Sequence, residues 1–207
     1  MKNKAFLKVG LVLLALYLII LYLVGIHFFG SVDLVSTELS QKVIPQFVNF
    51  PFSVFSLVGS LEIVSIILLI LWFKSKNMNY IYVLLFFGTF HVLELLGKFF
   101  VIHPGPPAKF FRYDIPFIFP SSKVSTGNSF PSGHMARTAF LSIIILYIIY
   151  RSKKFSQNQK RIFYALTAVF FVIMFVSRIY LGEHWLSDAI GGTFIGAAFS
   201  FFSLIFL

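Results

Sequence analysis

The chain has 207 residues, 58% hydrophobic and 12% charged, with a formal net charge of +10, a mean hydropathy of +0.91 and no cysteine. An ordinary soluble domain is about 25% charged, so this composition excludes a soluble globular surface and requires lipid to cover much of the chain. The missing cysteines exclude disulfides, thiolate metal sites and a cysteine nucleophile.

A bilayer core takes roughly 20 apolar residues per helix. Six spans are expected, at about residues 5–26, 54–73, 80–102, 134–150, 162–181 and 185–207, forming one domain over 1–207. The first follows Lys2, Lys4 and Lys8. Its apolar run is too long for a signal peptide and no small-x-small cleavage pattern follows, so it reads as a retained span. The link at 27–53, with Phe47, Phe50, Phe52 and Phe55 near its end, is expected to lie on the membrane surface. Glu62, inside the second span, needs a buried partner, for which His91 and Arg137 are candidates. In the third span His91, Glu94 and Lys98 share a helical face, which pairs Glu94 with Lys98.

The link at 103–133 is too long for a plain connector and is expected to carry function. It contains His103-Pro-Gly-Pro-Pro107, Pro120-Ser-Ser122 and Ser125-Thr-Gly-Asn-Ser129. His103 reads as a solvated loop histidine and Trp185 as an interfacial aromatic. Gly191, Gly192 and Gly196 read as close-packing positions of the sixth span.

Charge sets the expected orientation. The N-terminus and the links at 74–79 and 151–161 carry Lys2, Lys4, Lys8, Lys74, Lys76, Arg151, Lys153, Lys154, Lys160 and Arg161, with no acid among them. Basic loops gather on the cytoplasmic side. Both termini are therefore expected in the cytoplasm, with the 103–133 loop and the 177–188 corner outside. The cations sit in short loops beside apolar segments, so they read as topology and not as a nucleic-acid surface.

Polar residues gather where two expected spans end on that outer side and two begin. Lys98 closes the third span, His134 and Arg137 open the fourth, Arg178 closes the fifth, and His184 and Asp188 open the sixth. Ionisable groups at membrane depth are costly and usually functional. Pro131-Ser-Gly-His134 starts a helix, whose free N–H groups and dipole favour a phosphate; Ser132 adds a hydroxyl and Gly133 a close backbone approach. Lys98 and Arg178 add charge suited to phosphate oxygens. Either imidazole can act as nucleophile or general acid. His184 and Asp188, four apart, share a helical face, so the carboxylate can orient the ring. A metal site is disfavoured by the neighbouring cations and by the lack of further ligands.

These residues resemble the type 2 phosphatidic acid phosphatase (PAP2) superfamily, which also contains vanadium haloperoxidases and glucose-6-phosphatase. Its third motif, Ser-Arg-x5-His-x3-Asp, is matched by Ser177, Arg178, His184 and Asp188; its second, Pro-Ser-Gly-His, by Pro131, Ser132, Gly133 and His134. Of its first, Lys-x6-Arg-Pro, Lys98 and Pro106 are in register, but Gly105 stands at the arginine. That departure implies a weakened enzyme, a non-catalytic relative or a substitute cation, with Arg112 and Arg137 the favoured substitutes.

The resemblance implies an all-α membrane bundle acting without metal or other cofactor. His184 would form a phosphohistidine, oriented by Asp188; His134 would protonate the leaving oxygen and then activate water. Lys98, Ser132, Gly133 and Arg178 would hold the phosphoryl oxygens. The expected substrate is a lipid phosphate or diphosphate of the outer leaflet of a bacterial plasma membrane, such as undecaprenyl diphosphate, phosphatidylglycerol phosphate or phosphatidic acid. The alternatives are a lipid phosphotransferase and a non-hydrolysing binder or transporter.

Overall fold

In hydrocarbon a backbone must satisfy its own hydrogen bonds, so long apolar runs fold as helices. The computed structural model describes residues 2–123 and 127–207, and these form eight α-helices and no strand. Ser125 and Thr126 of the expected polar loop lie outside the described residues.

Five helices are long and apolar enough to cross a bilayer: α1 (Lys2–Gly25), α5 (Ile81–Phe100), α6 (Gly133–Arg151), α7 (Gln157–Tyr180) and α8 (Leu186–Leu204). The chain is a multi-pass membrane protein. The second expected span, 54–73, is not one helix. It divides into α3 (Asn49–Ser56), a 3-10 turn over Leu57–Gly59, and α4 (Leu61–Ser75). The two arms meet at 47° and reach spanning length only together. The break has a local cause. Ser60 is extended, and its hydroxyl oxygen accepts the Ile63 N–H at 3.3 Å, so α4 starts afresh at Leu61. Arg137 Nε takes up the Gly59 carbonyl freed there, at 2.8 Å.

The link expected on the membrane surface is itself helical. α2 (Gly30–Val43) turns Val32, Val35, Leu39 and Val43 outward and buries Asp33 and Thr37. That is the inverse of a soluble amphipathic helix, and it suits an element with lipid outside and polar partners inside. Phe47 and Phe50 are exposed as expected, whereas Phe52 packs edge-on to Tyr180 and Phe55 against Phe170.

α8 is the centre of the bundle, packed against α6, α1 and α5. Its apolar stretch is 67% buried and that of α6 61%, against 17% for α1 and 22% for α7, so the latter two form the lipid-facing rim. Glycine makes the central pair possible. A Cβ at Gly192 would strike the Ser132 carbonyl, and one at Gly196 the Ala136 carbonyl, so the α6 and α8 backbones approach where no side chain fits. The expected close-packing role holds for both positions. Phe87, Phe90, Phe140 and Phe199 fill the core beside this seam.

Candidate active site

α6 and α8 begin side by side, and a backbone bond joins their starts. The Ser132 N–H donates to the Asp188 carbonyl at 3.0 Å, while Ser132 Oγ caps α6 by accepting the Met135 N–H at 3.5 Å. Two segments 56 positions apart in number thus meet at one depth. Gly133 opens α6 against Glu94, whose carboxylate a Cβ would strike.

His184 lies in the bend just before α8 and not on the helical face expected of it; its Nδ1 is 3.4 Å from Oδ2 of Asp188 in the first turn, which also accepts the Trp185 N–H at 2.9 Å. The contact at Nδ1 leaves Nε2 as the ring nitrogen available for chemistry. At the end of α7 the Arg178 side chain is wholly buried. It pairs with Glu183, and its Nε and Nη2 each donate to Ser177 Oγ at 3.3 Å. Ser177 Oγ gives its own proton to the Met174 carbonyl at 2.8 Å, so its lone pairs are free to accept the guanidinium.

A second polar group faces the first. Glu94 is buried, with Lys98 Nζ 3.0 Å from Oε1 and Arg137 Nη1 3.5 Å from Oε2. The expected Glu94–Lys98 pair therefore forms. Arg137 Nη1 also lies 3.4 Å from His91 Nε2. Of the two partners expected for Glu62, Arg137 acts on it electrostatically without a direct hydrogen bond among the described residues. The Glu62 carboxylate accepts the Ser121 N–H at 3.0 Å and the Ser121 hydroxyl at 2.9 Å, because the break at Ser60 points the first turn of α4 toward the 103–133 loop.

A cavity of about 730 Å³ lies between these groups. Its polar wall is Lys98, Glu94, Arg137, His134, Glu183 and His184; Leu61, Phe87, Gly88 and Leu95 of α4 and α5 make an apolar flank. The electrostatic neighbours of His134 are Arg178, Arg137, His184 and Lys98. Arg178, Ser132 and Asp188 stand behind the wall, Arg178 covered by its Glu183 partner. Among the described residues, no three His, Cys, Asp or Glu side chains are grouped to hold a metal ion.

The structure separates the two arginines expected to replace the one absent at Gly105. Arg137 lines the cavity, as does Gly105. Arg112 does not: its Nη1 donates to the Tyr180 hydroxyl at 3.2 Å, its guanidinium lies over the Tyr180 ring, and its N–H is bound to the Leu181 carbonyl. The backbone bond anchors Arg112 to the corner at Leu181.

Three residues outside the sequence expectation join the site from behind. His103 is buried and not a solvated loop residue, with Nε2 3.4 Å from Asp188 Oδ1. Loop contacts hold it there: its N–H donates to Asn128 Oδ1 at 2.9 Å and its carbonyl accepts the Ser129 N–H at 2.8 Å. Asp33 of α2 accepts the Ser187 N–H at 2.8 Å and the Ser187 hydroxyl at 2.7 Å. Burial pushes the Asp33 carboxyl above its ordinary range, and these two hydrogen bonds oppose that rise. Nothing local in the sequence pointed from Asp33 to its partner, which lies 154 positions away. Trp185 donates its indole N–H to the Pro104 carbonyl at 2.8 Å, fastening the loop to the start of α8.

Comparison with known proteins gives the family and the fold. The sequence model of the PAP2 superfamily matches residues 76–207, more than half of the chain. Phosphatidylglycerophosphatase B of Bacillus subtilis (strain 168) is 29% identical over 126 residues, which cover 61% of this chain and 57% of the length of that relative. The crystal structure of a transmembrane PAP2-type phosphatidylglycerolphosphate phosphatase from Bacillus subtilis superposes with a TM-score of 0.74 at 23% identity, covering 95% of this chain and 93% of that one. LpxE of Aquifex aeolicus superposes with a TM-score of 0.61 at 22% identity, over 84% of this chain and 94% of its own. At these identities the two structures are likenesses of fold.

Proposed function

This chain belongs to the PAP2 superfamily, and we propose that it hydrolyses a lipid phosphate or diphosphate through a phosphohistidine on His184. The observation that carries the proposal is His184, its Nδ1 held toward Asp188, sharing one cavity wall with His134, Lys98 and Arg137. A phosphate-binding protein needs the cations; it has no use for an oriented imidazole beside a second one.

In the proposed reaction His184 Nε2 attacks phosphorus, forming the N–P bond as the P–O bond to the lipid breaks. The Nδ1–H stays on Asp188 Oδ2 and stabilises the charge the ring acquires. His134 gives a proton to the departing oxygen, then takes one from water, whose oxygen displaces histidine from phosphorus. Lys98, Arg178, Ser132 and the Gly133 N–H hold the phosphoryl oxygens, and Arg137 takes the place left by Gly105. Glu94 and Glu183 balance these cations. An anionic headgroup would draw the cations to itself. The apolar flank from α4 and α5 suits the lipid chain at the point where it leaves the headgroup.

The site faces outward in this proposal, because the basic loops lie at the opposite end of the bundle. Phosphatidylglycerol phosphate leads the substrates, on the name of the curated relative; phosphatidic acid and undecaprenyl diphosphate share its chemistry. The test is phosphate release from all three lipids by the purified protein, with chelator present. Release is expected without added metal and with inhibition by vanadate. His184→Ala is expected to retain less than roughly one thousandth of it, as for loss of a nucleophile. Equal release by His184→Ala overturns the mechanism, and an absolute need for an acceptor lipid marks a phosphotransferase.

A further inference from the structure

The two oxygens of Asp188 have different surroundings. Oδ2 meets His184 Nδ1 at 3.4 Å and the Trp185 N–H at 2.9 Å. Oδ1 is buried and makes no hydrogen bond among the described residues; His103 Nε2 lies 3.4 Å from it. A buried carboxylate oxygen without a donor is costly, so the state of that nitrogen matters to the whole group.

The surroundings of His103 decide where its ring proton sits. Besides Asp188 Oδ1, Nε2 lies 3.3 Å from Ser187 Oγ and 3.8 Å from Asp33 Oδ2. Ser187 has one hydroxyl hydrogen, which points at Asp33 Oδ2 across 2.7 Å, while its N–H occupies Asp33 Oδ1 at 2.8 Å. With that proton committed, Ser187 Oγ can only accept from the histidine. All three oxygens facing Nε2 are then acceptors, and the hydrogen belongs on Nε2. Asn128 and Ser129 hold the backbone of His103 on both sides, which keeps the residue beside α8.

We infer that His103, its tautomer set by Asp33 through Ser187, is a positioning residue whose Nε2–H, bonded to Ser187 Oγ, sets its positive edge against Asp188 Oδ1 and fixes the carboxylate plane that orients His184. The inference rests on the proposed role of His184. It also gives a function to α2, which lies outside the spans and brings Asp33 to the foot of α8. Neither His103 nor Asp33 lines the cavity, so neither touches the headgroup. Loss of the contact should loosen the nucleophile and leave substrate binding as it was.

The experiment measures phosphate release from dioctanoyl phosphatidic acid in mixed micelles by the full-length protein and its variants. His103→Leu keeps bulk but has no donor. Its kcat is expected to fall about 10- to 100-fold, the usual cost of losing a hydrogen bond behind a functional group, with KM within about twofold. His103→Gln can donate from its amide and should recover most of kcat. Asp33→Asn is isosteric but cannot accept both Ser187 donors, so it too should lose kcat at constant KM. A change in kcat of less than twofold in both His103→Leu and Asp33→Asn overturns the inference, as does a matching loss in His103→Gln. If His103→Leu does not fold, Asp33→Asn and His103→Gln decide it by the same criteria. His184→Ala separates the two proposals. An active His184→Ala removes the mechanism and this inference together; an inactive one beside a fully active His103→Leu removes this inference alone.

Discussion

Gly105 presents open cavity where the family motif has an arginine, and a Cβ there would meet only the Ser129 Cβ, at an ordinary 3.5 Å. Arg137 reaches the same cavity from one turn inside α6, braced by Glu94 and by the Gly59 carbonyl. Arg112 is spent on Tyr180. Arg137→Ala is therefore expected to lower kcat/KM by roughly 100-fold, the scale of losing one transition-state donor, while Arg112→Ala stays within a few-fold. In the Arg137→Ala background, Gly105→Arg should restore part of the loss, since the position has room for a side chain. Phosphate-release kinetics on the three variants check this; a large loss confined to Arg112→Ala would reverse the assignment. The sequence left these two arginines level because both fall near the motif, and linear distance does not record which way a loop turns. For His184 and Asp188 it did suffice. The two are close enough in the chain for the ring to reach the carboxylate from the bend that precedes α8, although His184 is not on the helix itself.

Helix existence followed from apolar run length, yet one element departed from it. The 54–73 run reads as a continuous span because Leu57, Val58, Leu61, Ile63 and Val64 hide the break in an apolar stretch. Ser60 capping Ile63, and Arg137 accepting the role of donor to the orphaned Gly59 carbonyl, make the 47° bend. The second of those partners lies 78 positions away. The α6–α8 seam is the opposite case, since small residues announced it in advance. Gly196→Leu is expected to cost roughly 1–3 kcal/mol or more, as overpacking does, by forcing apart the helices that carry His134 and His184. Thermal unfolding in detergent should show the loss, with activity falling alongside it. Unchanged stability would mean that the seam does not need its glycines.

The bundle as a whole has a basic end and a reactive end. Alternating spans put Lys74, Lys76, Arg151, Lys153, Lys154, Lys160 and Arg161 at one and the cavity at the other. Because the chain has no cysteine, single replacements report the sidedness cleanly. Both Lys109 and Lys154 are exposed. In intact cells a membrane-impermeant maleimide is expected to label Lys109→Cys, and to label Lys154→Cys only after permeabilisation. The reverse pattern would turn the site toward the cytoplasm. Local chemistry was enough to establish a helical membrane protein, its family and the His134, His184 and Asp188 constellation. Run length, helical periodicity and motif spacing act over a few residues and survive any packing. The cation facing Gly105, the partner of Glu62 and the buttress of Asp33, Ser187 and His103 behind Asp188 were decided only by tertiary structure. Each joins segments tens to more than a hundred positions apart, and a buried polar group takes whichever partner the packed helices bring within reach.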